Sequence, residues 1–544
     1  MPEKTTKWII VTGGVISTLG KGIVAGSLGA LLKMRGYKVT AVKIDPYINV
    51  DAGTMRPTEH GEVFVTFDGG ETDQDIGNYE RFLDENIPKN HNITTGQVYL
   101  EVIKRERNLE YDGKCVEVIP HIPLEVQRRL RKAADDTQAD YVIVEIGGTI
   151  GDYQNVLFLE AVRTMRLKGE PMIFAHVTYL PIPRTAGEMK SKPAQHSLRA
   201  LNANGIQADF VIARSDEPID EVRKEKISVF GNVKKEHVIS CQDLESIYDV
   251  PLLLQEQKFD ELVVNSFHES PKPLGKKFSD WKALAAKSRN GGKEVKIGVI
   301  GKYFNSGDFT LEDSYISVIE AIKHAAYNND VKPVIQWINS LEYEKSPEKL
   351  EGLKEYDALI IPGGFGKTGV EGKISAIKYA REENIPFLGL CYGLQLAVIE
   401  HARNVINIKD ANSAEIDMSS DDLVIDVLPE QKKNLEAKNY GASMRLGNYE
   451  AVLKKGTRTF NLYGEEKIFE RHRHRYEVNP EYKEKLEKKG LVFSGLSPEG
   501  KLVEFIERSD HPFFIATQAH PEFTSRPLNP NPLFDGLVKA ALKK

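Results

Sequence analysis

Cysteine is scarce: the 544 residues hold only Cys115, Cys241 and Cys391. An odd number at wide spacing builds neither a disulfide framework nor a zinc site, which fits a reducing, cytoplasmic compartment. A basic excess is missing too. Lys and Arg number 73 against 79 Asp and Glu, a formal charge of −6, so the chain lacks the positive balance that binding to a nucleic-acid backbone demands. No stretch approaches the ~18 consecutive apolar residues of a membrane span. The apolar residues Trp8 to Val11 run into glycines too soon to form the core of a signal peptide. Repeats of fixed period and low-complexity tracts are also lacking. What remains is an ordinary globular balance, 41% hydrophobic and 28% charged, with neither nucleic acid nor membrane as an expected partner.

At roughly 150 residues per domain the length suggests three or four domains, or two large ones. Short Val/Ile-rich runs alternate with longer amphipathic segments, the pattern of parallel strands joined by crossover helices. Trp8 to Val11, Val39 to Ile44, Tyr141 to Ile146, Pro171 to Thr178 and Asp209 to Ala213 are apolar on both faces, as buried parallel strands should be. The character changes from His268 to Val295, where Pro271 and Pro273, a helical patch around Trp281 and Asn290-Gly291-Gly292 read as a linker carrying one helix. The pattern then restarts with Val295 to Gly301, Ala358 to Ile361 and Pro386 to Leu390. The expected fold is α/β in two domains, 1–269 and 294–544, joined by 270–293.

The first strand leads into Thr12-Gly13-Gly14-Val15-Ile16-Ser17-Thr18-Leu19-Gly20-Lys21-Gly22, followed by an amphipathic helix that ends before Gly36. A glycine-rich turn at a helix N-terminus aims backbone N–H groups at a bound anion, and Lys21 adds charge for nucleotide phosphates. The usual loop of this type places Ser or Thr after the Lys to bind magnesium, but here that residue is Gly22. Carboxylates elsewhere must then hold the metal, and Asp75 and Glu145 are placed for it. Each alone would read as a solvated or capping carboxylate. Lys43 and the pair Lys190 and Lys192 read either as surface lysines or as neutralisers of a second triphosphate.

In the second half, the strand ending at Leu390 turns at Cys391 within Gly389-Leu390-Cys391-Tyr392-Gly393. This is the cysteine form of a nucleophile elbow, in which flanking glycines permit the sharp turn and the helix N-terminus favours the thiolate. His520-Pro521-Glu522 supplies a base and its orienting carboxylate if the segment is extended, because residues two apart then face the same way. Pro362-Gly363-Gly364-Phe365-Gly366 follows a buried strand and offers backbone N–H groups to an oxyanion. Singly, these would read as a buried cysteine, a core histidine and a turn. Together they point to a thiol nucleophile.

The second half resembles class I glutamine amidotransferase domains, whose Cys-His-Glu triad hydrolyses glutamine through a glutamyl thioester. The first half, with its loop Gly13 to Gly22, Lys43 to Asp51, His60 to Val65 and Glu145 to Thr149, is similar to the synthetase domain of the CTP synthase family. The likeness covers nearly the whole chain in the family's domain order. It implies a parallel-sheet phosphate-loop synthetase domain followed by the amidotransferase domain. It further implies that ATP phosphorylates O4 of UTP and that ammonia from glutamine, led through an internal passage, displaces the phosphate to give CTP.

Carried onto this chain, the resemblance makes Cys391, His520 and Glu522 the triad. ATP would meet Thr18, Leu19, Gly20, Lys21, Gly22, Ile23 and Asp75, with Gln242, Asp243 and Leu244 near adenine. UTP and the inhibitor CTP would meet Ser17, Asp152, Tyr153, Gln154, Lys190, Ser191, Lys192, Pro193, Ala194, Gln195 and Lys226. Glutamine would meet Gly364, Tyr392, Gly393, Leu394, Gln395, Glu415 and Arg475. Asp75 and Glu145 would bind Mg2+. Arg475 closes Arg471-His472-Arg473-His474-Arg475, which by itself reads as an exposed basic strand, and a guanidinium there suits the glutamine carboxylate. The resemblance also implies GTP as activator and a homotetramer.

Three features depart from the family pattern. Asp152-Tyr153-Gln154 stands where Asp-Ile-Glu is common, which bears on CTP feedback. Tyr392 stands where Leu is common, and Phe304 to Phe309 looks like an insertion that bears on the GTP response. Two other readings compete. A cobyrinate-type amidase would keep the glutaminase and activate a carboxylate, which leaves the pyrimidine-site motifs unused. A partitioning-type ATPase switch commonly carries a Lys ahead of the loop glycines, where this chain has Val11-Thr12, and it has no use for Cys391.

Overall fold

The computed structural model describes residues 5–185, 187–289, 292–301, 305–306, 309–310, 312–427 and 444–544. The chain divides into two compact units: Met1–Ala52 with Asp75–Arg289, and Gly53–Gln74 with Asn290–Lys544.

The first unit is built on a seven-stranded sheet, ordered Asn92–Thr94, Val39–Asp45, Tyr141–Ile146, Lys7–Gly13, Met172–Tyr179, Phe210–Ser215 and Val238–Gln242. Every pairing is parallel. The strands are apolar without alternation because both faces are covered. Trp8, Ile10, Val142 and Val144 pack in one cluster with Val126 and Leu130 of the helix Val118–Thr137 and with Leu159 and Val162 of Val156–Leu167. Ile9, Val11 and Ile143 are equally buried on the other face. At about 1.5–3 kcal/mol for each fully buried large aliphatic side chain, these runs commit the chain to a central position in the sheet.

The helix expected around Trp281 is Lys276–Arg289. It is fastened to the first unit: the Trp281 indole N–H donates to the Tyr248 carbonyl at 2.8 Å, and its ring lies 5.4 Å from that of Phe82.

The second unit carries a nine-stranded mixed sheet, ordered Lys332–Asn339, Glu294–Gly301, Ala358–Ile361, Phe387–Leu390, Phe514–Thr517, Val503–Arg508, Leu491–Leu496, Arg445–Leu453 and Lys467–His474. The first five pair in parallel and the rest are antiparallel. Gly53–Gln74, which the sequence pattern counts with the N-terminal half, clusters here. Buried polar contacts hold it: the Arg471 guanidinium donates to the Val65 carbonyl at 2.9 Å, and Arg473 donates to the Glu71 carboxylate at 2.8 Å. Of the expected insertion, Asn305–Ser306 pairs antiparallel with Phe309–Thr310, while Phe304, Gly307 and Asp308 lie outside the described residues.

Candidate functional site

In the first unit the strand Lys7–Gly13 ends in the glycine-rich loop and the helix Lys21–Met34 begins immediately after it. Val15, Thr18 and Gly20 all have positive φ, of 84°, 56° and 77°, so the loop turns back on itself ahead of the helix N-terminus. Lys21 is buried and donates to the Gly148 carbonyl at 2.9 Å. It folds over Gly13, where a Cβ would collide with its side chain. Burial, with help from Lys43, lowers the Lys21 pKa against the pull of Glu145.

Lys43, Asp45, Asp75 and Glu145 converge beside this loop, Asp75 from the first turn of the helix Gln74–Leu83 and the others from strand ends. Lys43 is not a surface lysine: it is buried, bonds to Asp75 and reaches Glu145 at 3.1 Å and Asp45 at 3.7 Å. The Tyr79 hydroxyl donates to Glu145. Burial raises the Glu145 carboxyl, and neighbouring Asp75 raises it further. Burial pushes Asp45 up to about 6, with Lys43 opposing and Asp75 and Glu145 adding to it. For Asp75 burial is outweighed by Lys43, so its pKa falls. Three carboxylates share the ammoniums of Lys43 and Lys21, which leaves one acidic group over that a cation would relieve, and this fits the donor chemistry of Mg2+. Among the described residues no three His, Cys, Asp or Glu side chains form a metal cage. A metal here would complete its shell with phosphate and water, as Mg2+ usually does. Gly22 follows from the same crowding, because a Cβ there would overlap the Asp75 carboxylate and sit 3.4 Å from Glu145.

A second chain of contacts runs beneath the loop. His176 is fully buried, with Nδ1 2.9 Å from the Thr12 hydroxyl and Nε2 2.6 Å from that of Ser197. Burial, reinforced by Lys21, lowers its pKa to about 3. Ser197 belongs to the helix Lys192–Ala203 and occupies the space a Cβ of Gly14 would take. Through Ser197 this helix, which starts with Lys192, Pro193, Ala194 and Gln195, meets the phosphate loop. Gln195 donates to the Ser191 hydroxyl at 3.0 Å, and Lys190 pairs with Glu188. Ser17, Lys226, Asp152 and Gln154 are exposed and Tyr153 is almost wholly so, at 96%. Asp152 accepts from the Thr149 N–H at 3.0 Å. Gln242 ends its strand, Asp243 pairs with Arg214 at 2.6 Å and Leu244 is partly exposed.

In the second unit Cys391 sits between the strand Phe387–Leu390 and the helix Tyr392–Asn404 with φ 50° and ψ −96°. The flanking glycines allow this approach: a Cβ on Gly389 would meet the Gly393 carbonyl at 2.9 Å, and one on Gly393 would strike the Ile361 carbonyl. The Cys391 N–H donates to the Thr517 carbonyl at 2.7 Å. Gln518 donates to the sulfur at 3.6 Å.

His520 and Glu522 meet, with Nδ1 2.7 Å from a Glu522 oxygen, though by another route than alternation along a strand. Pro521–Phe523 is a single tight helical turn, not extended chain, because Pro521 begins it and the Phe523 N–H closes onto the His520 carbonyl at 3.1 Å. His520 is buried, and among the described residues its Nε2 has no hydrogen-bond partner. Burial works against its charged form, but Glu522 and then Cys391 outweigh it and push the pKa up to about 10.

Cys391, His520 and Glu522 open onto a cavity of about 450 Å³ whose wall includes Gly363, Gly364, Phe365 and Arg475. Its remaining lining, including Thr54, Pro57, Glu62, Tyr315 and Arg473, carries no signal in the sequence that would assign it to this site. Of the other expected glutamine contacts, Tyr392 to Gln395 begin the helix behind the nucleophile, with Leu394 and Gln395 buried in the core. Glu415 accepts from the Gly366 N–H at 2.6 Å, so that donor of the glycine turn is already used. The basic stretch before Arg475 is not an exposed strand: Arg471, His472 and His474 are each about 99% buried, where a basic run on its own suggests solvent.

The fold and the two constellations define a ligase of two parts, a parallel-sheet phosphate-loop synthetase domain and a glutamine amidotransferase domain. The CTP synthase N-terminus family matches residues 7–268, and the class I glutamine amidotransferase family matches residues 310–540. The CTP synthase of Halalkalibacterium halodurans is 49% identical over 544 residues, covering 99% of this chain and all of that one. That of Methanocaldococcus jannaschii is 51% identical over 546 residues, covering 99% of each. Among solved structures, the glutaminase domain of Trypanosoma brucei CTPS with bound acivicin is 36% identical, covering 46% of this chain and 94% of that one, with a TM-score of 0.42. The chain belongs to the CTP synthase family, ligases that aminate UTP with nitrogen from glutamine in an ATP-dependent reaction.

Proposed function

We propose that this chain makes CTP by dividing the work between the two constellations described above. In the second unit the Cys391 sulfur attacks the side-chain amide carbon of glutamine, and His520 takes the thiol proton and returns it to the departing ammonia. Water then attacks the glutamyl thioester, with His520 as base, and releases glutamate. Glu522 holds the imidazole by its Nδ1 and offsets the charge that forms on it. Backbone N–H groups of Gly364 and Tyr392 receive the developing oxyanion. Arg475 takes the glutamine carboxylate, and Glu415 with Gly393, Leu394 and Gln395 shapes the rest of the subsite. The observation that carries this half is the 2.7 Å contact between His520 and Glu522 on the wall shared with Cys391.

In the first unit Thr18 to Ile23 cradle the ATP phosphates with Lys21 as counter-charge, and Gln242 to Leu244 meet adenine. Ser17, Asp152 to Gln154, Lys190 to Gln195 and Lys226 receive UTP, and CTP in part. A carbonyl oxygen is a poor leaving group, so ATP first phosphorylates O4 of the uracil ring, and ammonia then displaces phosphate. Asp75 and Glu145 would hold Mg2+, which when bound neutralises triphosphate charge. Lys43 keeps these two carboxylates together.

Family membership further supports GTP as activator, CTP as feedback inhibitor, a homotetramer and a cytoplasmic setting. The exposed apolar side chains Leu100, Ile103, Leu109, Val118 and Ile119 on the first unit support self-association. Three unpaired cysteines, and the lack among the described residues of a helix long and apolar enough to cross a membrane, accord with the cytoplasm.

The test is CTP formation from UTP and ATP with glutamine or with ammonium as donor. Cys391→Ala should abolish only the glutamine-dependent reaction. Loss of both in a folded variant overturns the two-site reading.

A further inference from the structure

The side chain of Tyr392 does work that its backbone does not. The residue is fully buried directly after the nucleophile, and its ring lies beneath the glycine turn, 4.0 Å from where a Cβ of Gly364 would stand. Its hydroxyl donates to the Gly366 carbonyl at 2.8 Å. From the other side, the Gly366 N–H donates to Glu415 at 2.6 Å. Both polar groups of Gly366, which has φ 81°, are therefore tied to side chains. The buried Lys373 ammonium sits 5.4 Å from the centre of the tyrosine ring and holds that ring in place.

Three glycines among the five residues Pro362 to Gly366 give this turn much conformational freedom to lose on folding. Gly363, Gly364 and Phe365 of the turn line the cavity onto which Cys391 opens. An oxyanion hole works only when its donors are aimed before charge develops, so something must hold such a turn in one conformation.

We propose that the Tyr392 hydroxyl is that restraint: a latch on Gly366 that keeps the Gly363–Gly366 turn in its oxyanion-binding form, making Tyr392 a positioning residue for glutamine hydrolysis. The inference rests on the glutaminase reading above. It assigns the hydroxyl a function separate from that of the Tyr392 N–H. A leucine at this position would keep the N–H and lose the latch.

The experiment compares the parent chain with Tyr392→Phe and Tyr392→Leu. A neutral hydrogen bond of ordinary strength corresponds to about a tenfold effect, so kcat for glutamine hydrolysis should fall about tenfold in both variants with KM nearly unchanged. Glutamate γ-semialdehyde, which adds the thiol to form a tetrahedral oxyanion, should lose affinity by the same factor. Inhibition by glutamate, which forms no such adduct, should not change. Retained ammonia-dependent CTP formation reports that each variant is folded.

Full glutaminase activity in Tyr392→Phe overturns the latch, because the ring alone would then suffice. So does an equal weakening of glutamate and semialdehyde, which would mean that the variant distorts the substrate site as a whole. A parent chain without glutaminase activity sinks the underlying reading instead, and Cys391→Ala detects that separately.

Discussion

Replacing Glu522 by Gln removes the charge that faces His520 while keeping the shape of the pair. The imidazole pKa stands at about 10 against an ordinary 6.5, a gap worth ~5 kcal/mol at 1.36 kcal/mol per pH unit. Burial opposes that gap, and Glu522 and Cys391 together supply the excess. Glu522 is the larger of the two groups that raise the imidazole against burial, so removing its charge should lower glutamine-dependent turnover by at least about tenfold. The assay is the initial rate of glutamate release across pH 6 to 10, with ammonia-dependent CTP formation as the control on the other half. A second readout comes from stability. A folded-state pKa above the unfolded value stabilises fully below 6.5, and that contribution disappears as pH rises through about 10. Glu522→Gln should therefore melt well below the parent near pH 6 and converge on it toward pH 10. A loss of activity under threefold, or a melting difference that does not narrow with pH, would refute the argument that Glu522 charges the imidazole.

Other outcomes follow from the first unit. Gly22→Ala should reduce CTP formation from either nitrogen donor by at least 10²-fold, because its methyl would overlap Asp75, while glutamine hydrolysis measured without nucleotides persists. Lys21→Ala should abolish synthesis from both donors, and full ammonia-dependent synthesis would sink the phosphate-loop assignment. Lys43→Met removes the ammonium that pairs with half-buried Asp75 and buried Glu145, leaving only Lys21 nearby, a change that costs up to about 3 kcal/mol. Its melting temperature should fall, and added Mg2+ should raise it more than in the parent. His176 titrates near 3 when folded against 6.5 when unfolded, so it lowers stability progressively as pH falls from 6.5 toward 3. His176→Gln should lose that acid sensitivity, read as a smaller drop in melting temperature between pH 7 and pH 5.

Local signals carried the loops and strands well. The strand Tyr141–Ile146 and the elbow at Cys391 are each contained in a few consecutive residues whose periodicity and glycines act directly on the backbone. The pairing of His520 with Glu522 was also legible, although the backbone that achieves it was not. Pro521 begins a tight turn where alternation suggests extension. Lys43 shows the opposite limit. Its neighbours in sequence do not reveal that Asp75 and Glu145 close around it, because those contacts join residues 32 and 102 positions away.

By itself the sequence determined that two α/β halves each end a strand in a glycine-rich turn, one with Lys21 and one with Cys391. Those outcomes depend on the sterics of a few adjacent residues and on apolar runs long enough to demand burial. Only the tertiary structure decided that Gly53–Gln74 clusters with the second unit and lines the cavity at Cys391. It alone decided that Arg471, His472 and His474 are interior and that a tyrosine hydroxyl secures the glycine turn. A buried charge is tolerable only where a distant partner meets it, as the Val65 carbonyl meets Arg471 at 2.9 Å. That partner is chosen by how the chain packs, not by what stands beside the residue in sequence.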